Sequence, residues 1–102
     1  MDAVSGLPGR EAFTAQVGTT FAVEGLGGLR LERVEAGPRG SGFEQFALMF
    51  RGSRDPVGRQ GTYRLVHAAL GAFDIFLVPV GRDSDGTRYQ AVFSRLVGEA
   101  GR

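Results

Sequence analysis

Gly61-Thr-Tyr-Arg-Leu-Val-His67, a short turn through Gly71, Ala72-Phe-Asp-Ile-Phe-Leu-Val-Pro-Val80, the turn Gly81-Arg-Asp-Ser-Asp-Gly86 and Thr87-Arg-Tyr-Gln-Ala-Val-Phe93 decide the fold. Each run is rich in β-branched and aromatic residues and changes face at every step, and each is punctuated by glycine or aspartate where a hairpin needs unusual backbone angles. Together they predict three antiparallel strands in a meander.

The same period extends upstream. Thr20-Phe-Ala-Val-Glu24 puts Phe21 and Val23 on one side, glycines 25, 27 and 28 turn the chain, and Leu29-Arg-Leu-Glu32 returns it as a hairpin. The apolar phase then slips from Leu31 to Val34, which predicts a β-bulge near Arg33, and Gly37-Pro38 ends the strand. After a glycine-rich loop over 37–42, residues 43–50 form a strand with Phe46, Leu48 and Phe50 inward and Gln45, Ala47 and Met49 on the other face. The polar stretch 51–60 leads from it into the meander. Before all this, residues 10–17 can make two helical turns that Gly18 stops, with Phe13 and Val17 four apart and facing the sheet.

These elements predict a mostly β fold, a six-stranded antiparallel barrel or compact sandwich with a short N-terminal helix over one open end. A lone open sheet of this size would leave half its aromatic residues in water. The expected organisation is a flexible leader over 1–9, a single domain over 10–96 and a tail over 97–102. A chain of 102 residues suits one core and no large internal cleft.

Composition narrows the function classes. Twelve basic residues face eleven acidic ones, with both signs spread along the chain, so no field gathers nucleic acid or anionic lipid. Every basic residue is Arg, with no Lys and no Asn beside 17 Gly, which reads as the codon bias of a GC-rich bacterial genome. There is no cysteine, hence no disulfide or thiolate metal site, in keeping with a reducing, cytoplasmic compartment. The first ten residues lack the basic start and apolar run of a signal peptide, and the longest apolar stretch, 75–80, is too short to span a membrane.

Gln60-Gly-Thr-Tyr-Arg-Leu65, His67, Leu70-Gly71, Phe76-Leu-Val-Pro-Val-Gly-Arg-Asp83, Asp85-Gly86 and Arg88-Tyr-Gln-Ala-Val-Phe93 resemble a family of small bacterial proteins, domain of unknown function 6916. Val17-Gly-Thr-Thr-Phe21 and Phe50-Arg-Gly52 are similar too, whereas 1–9 and 38–42 fall outside the resemblance. It implies a small bacterial β-domain, associated with genes for phage-tail-collar-like proteins. It brings no activity, cofactor or catalytic residue.

No constellation in the sequence assembles a reaction. Fitted to a calcium loop with Gly86 as the turn glycine, Asp83-Ser-Asp-Gly86 would put the first ligand on Gly81 and the bidentate carboxylate on Val92, so it reads as a hairpin turn and no metal is expected. His67, the only histidine, shares a face with Tyr63 and Leu65 and reads as a partly buried, hydrogen-bonded residue, because no serine stands in a nucleophile-elbow pattern. The glycine loops lack the spacing or lysine of a phosphate cradle.

Two features carry a functional expectation. Arg51, Arg54 and Arg59 place three guanidinium groups in the loop over 51–60, enough to hold a small carboxylate or phosphate. The strand over 72–80 is apolar on both faces, Phe73, Ile75 and Leu77 one way and Phe76, Val78 and Val80 the other, which points to a covering protein surface. The leading expectation is a non-catalytic protein interaction or assembly module, self-associating or with a protein partner, of bacterial origin and without cofactor. The alternative is a small barrel binding an anionic ligand near the arginine loop.

Overall fold

The computed structural model describes residues 8–37, 43–53 and 58–96, without the side chains of 43, 44, 95 and 96. The expected leader up to residue 7, the loop over 38–42, Arg54 and the tail over 97–102 lie outside the described residues. A short helix, α1 (Arg10–Thr14), precedes six strands: β1 (Thr20–Val23), β2 (Gly27–Ala36), β3 (Phe43–Gly52), β4 (Gly61–His67), β5 (Gly71–Asp83) and β6 (Gly86–Leu96). All pairings are antiparallel within one sheet, in the order β1, β2, β3, β6, β5, β4, and β1 also pairs with β4, so the sheet closes into a ring.

Alternation decides what is inside. Phe21, Val23, Leu29, Leu31, Phe46, Leu48, Phe50, Leu65, Phe73, Ile75, Leu77, Tyr89, Ala91 and Phe93 are all buried in one core, where alternate residues of a strand share the inward face. The phase slip in β2 is a register irregularity between Leu31 and Arg33, as expected of a bulge. Met49, on the outer face as predicted, is nonetheless buried.

Three expectations need correction. The helix ends at Thr14, so Val17 is not four residues along a helix from Phe13; it sits in the following turn and is exposed while Phe13 is buried. Second, β3 continues through Arg51 and Gly52, so Arg51 belongs to a strand and not to the polar loop. Third, β5 runs to Asp83 and the turn is only Ser84 and Asp85, tightened by the Asp85 N–H donating to Asp83 Oδ1. Gly86 closes this turn at φ 135°, and a side chain there would press into the Gly52 carbonyl.

α1 is too short to persist by itself. Phe13 anchors it, with ring centroids 5.7 Å from Phe73 and Phe93, 6.2 Å from Phe46 and 6.3 Å from Phe21. Just after it, Gly18 N–H donates to the Leu31 carbonyl, fastening the turn to β2. Truncation of a fully buried phenylalanine costs about 3 to 5 kcal/mol. Phe13→Ala should therefore remove much of the stability of so small a domain, lowering Tm in thermal denaturation by well over 10 °C at about 4 °C or more per kcal/mol. A shift of only a few degrees would mean that the ring does not carry the core.

Candidate functional site

Two regions of the outer surface combine residues in ways that local folding does not require, and His67 marks a third point of interest inside. His67 is buried, and its Nδ1 accepts the N–H groups of Ala69 and Leu70 at 3.0 and 3.2 Å. The ring proton is therefore on Nε2, which donates to Thr19 Oγ1 at 2.8 Å, and that hydroxyl donates onward to the Gln16 carbonyl at 2.7 Å. Nδ1 thus braces the β4–β5 turn from within while Nε2 ties it to the segment after α1, and the ring packs on Phe21 at 4.2 Å. This matches the hydrogen-bonded histidine that the sequence suggests.

The first outer region is a chain of charges crossing four strands. Arg51 from β3 donates to Glu32 of β2 at 2.7 Å and to Asp83 of β5 at 3.1 Å, and Arg88 of β6 donates to the other oxygen of Asp83 at 2.7 Å. Two cations and two anions alternate, so the group is internally compensated. Of the predicted arginine trio, Arg51 is committed to two carboxylates, Arg54 lies outside the described residues, and Arg59 is exposed, its carbonyl accepting the Tyr63 hydroxyl. Among the described residues no group of three or more His, Cys, Asp or Glu comes together as a metal site.

The second outer region is a seam in the ring. β5 serves two neighbours in succession, pairing with β4 over 71–77 and with β6 over 78–83, and the changeover falls at Val78 and Pro79 with a register irregularity between Pro79 and Gly81. Proline has no N–H to give a ladder, and a bulge bends the strand. Among the described residues no pair joins 71–77 of β5 to 91–96 of β6, although the register Val78↔Gln90 would otherwise bring Phe76 opposite Val92. From inside, Phe13 packs against both Phe73 of β5 and Phe93 of β6.

Outside, the seam is a groove of about 240 Å³ lined by Asp74, Ile75, Phe76, Ala91, Val92, Phe93 and Ser94. Phe76 is 52% exposed and Val92 69% exposed. Of the residues expected at an interface, Phe76 lines this groove; Val80 is exposed at the bulge and Val78 is half-buried. Val92 is the residue that the sequence reading passed over. Its signal was available: it stands between inward Ala91 and Phe93, so it must point out. Ala47 of β3 lies beside it in register and lines a neighbouring groove that Val92 also borders, which extends the apolar strip across a third strand.

With the architecture in view, the chain can be placed as a small closed-sheet β-domain. It belongs to the family described as Domain of unknown function (DUF6916), whose match runs over residues 8–93 and so spans the 38–42 segment as well. No curated protein and no solved structure matches it.

The charge chain predicts a pH response. The Asp85 N–H first, then Arg88 and Arg51, hold the Asp83 carboxyl below the usual carboxylate range. A depressed folded pKa adds stability above the unfolded value, about pH 4, and that stability is lost as pH falls through the folded value. The Tm difference between the wild type and Asp83→Asn should therefore be present at pH 6 and shrink progressively below pH 4. A difference that stays constant into strong acid would show that the ionised carboxylate is not what stabilises the turn.

Proposed function

We propose that the domain is a non-catalytic interaction or assembly module whose contact surface is the outer apolar strip around β5 and β6. The carrying observation is the exposure of Phe76 and Val92 along one groove, away from the compensated chain of Glu32, Arg51, Asp83 and Arg88. Adjacent large apolar side chains left in water are what protein contact surfaces offer, whereas singly scattered ones are ordinary. Phe76 and Val80 from the sequence-predicted trio contribute directly; Val78 contributes its half-exposed part.

In keeping with the family resemblance, we place the module in a bacterium, as part of a phage-tail-like assembly, and read the closed ring as a small barrel. The lack of cysteine is compatible with a cytoplasmic setting. Among the described residues no helix is long and apolar enough to cross a membrane. The groove volume lies below the 300 to 1,000 Å³ usual for small-molecule pockets, which favours a macromolecular contact over a small anionic ligand there.

Phe76→Asp tests the reading. Being half exposed, the site should accept the change with its β-type circular dichroism intact. The wild-type chain should either self-associate in sedimentation velocity or retain a co-purifying protein from its native host, and the variant should lose that association by about tenfold or more in affinity. A wild type that remains monomeric and retains nothing that the substitution abolishes would overturn the proposal.

A further inference from the structure

Where β5 leaves β6, one edge of β6 has no register partner among the described residues, next to exposed apolar side chains. Residues 91–94 of β6 are paired on one side, to Leu48, Ala47, Phe46 and Gln45 of β3, and no register pair joins them to β5 on the other. Because a strand turns its N–H and C=O groups alternately to either side, every second residue of this stretch directs both groups into the groove. Side chains alternate in the same rhythm, with Val92 and Ser94 outward and Ala91 and Phe93 inward.

We propose that this seam is a strand-acceptor site: it takes an extended segment of a partner protein, with Val, Ile, Leu or Phe at alternate positions, which adds its backbone to β6 along 91–94. The segment's apolar side chains would rest on Phe76 and Val92. This rests on the interaction-module reading and adds the kind of partner to it.

Size, charge and area argue for that occupant. A four-residue wall is about 13 Å long at the rise of a strand, the footprint of a short extended peptide. Its one carboxylate, Asp74, is already paired with Arg64 at 2.8 Å, so the groove does not select a charged ligand. Phe76 and Val92 together expose on the order of 200 Å², far less than the roughly 800 Å² per partner that two folded surfaces need. A second copy docking face to face is therefore poorly served. Strand addition takes its affinity from main-chain hydrogen bonds and needs only small side-chain contacts to set its register.

The experiment pans a library of random linear peptides of about twelve residues against the full chain, with subtraction on Val92→Glu, an exposed substitution that should leave the fold intact. Enriched sequences should alternate apolar and polar residues and lack a central proline. Made synthetically, such a peptide should bind Val92→Glu and Phe76→Asp about tenfold or more weakly, and N-methylation at every second backbone position should weaken binding by about tenfold while the intervening positions tolerate it. Binding that is lost in both variants yet tolerates N-methylation throughout overturns strand addition and leaves the interaction-module reading standing. If no peptide distinguishes the wild type from Val92→Glu, the acceptor site is wrong, and the sedimentation and co-purification result for Phe76→Asp decides separately whether any interaction surface exists.

Discussion

Phe13 reaches from a five-residue helix into the ring and packs against four other phenylalanines, one each from β1, β3, β5 and β6. Two of them, Phe73 and Phe93, belong to the strands whose pairing stops at this level. In an ordinary antiparallel ladder facing side chains stand about 5 Å apart. Phe13, with its ring centroid 5.7 Å from both Phe73 and Phe93, supplies aromatic contact to these two strands at the level where their backbone pairing stops. The domain is thus closed by main-chain hydrogen bonds where β5 meets β6 over 78–83, and by side chains where it does not.

That division shapes the outer surface. On the fully paired side, Glu32, Arg51, Asp83 and Arg88 link four strands in one compensated chain of charges. On the split side, Phe76, Val92 and Ala47 border the grooves beside the Arg64–Asp74 pair. Among the described residues, one ring therefore carries a surface that satisfies itself and another where exposed apolar side chains adjoin a strand edge without a register partner. The functional proposal follows from the second, because exposed edges invite pairing unless something covers them.

Much of the fold was legible from alternation alone. Phe21 and Val23, Phe46 to Phe50 and Phe73 to Leu77 announced their inward faces, and the slip from Leu31 to Val34 announced the bulge. Burial and face are local in a strand, which is why these expectations held. Other features depend on pairing across the chain. Arg51 looked like a loop cation because glycine and charge follow it, but its partners Glu32 and Asp83 are brought by register from 19 and 32 residues away. The helix offered Val17 at the right spacing, yet the spacing says nothing about where the last turn stops. Phe76 was visible as an outward apolar residue; the seam beside it was not, since no local pattern states that β5 changes neighbours at Val78.

Amide hydrogen exchange along β6, resolved residue by residue, tests this arrangement most directly. Residues 87–90 are paired on both edges and should be uniformly protected, whereas from 91 to 94 protection should alternate, slow where the N–H faces β3 and fast where it faces the seam. Uniform slow exchange from 87 through 94 would mean that β5 and β6 pair along their whole length, and the side-chain closure by Phe13 would have to be given up.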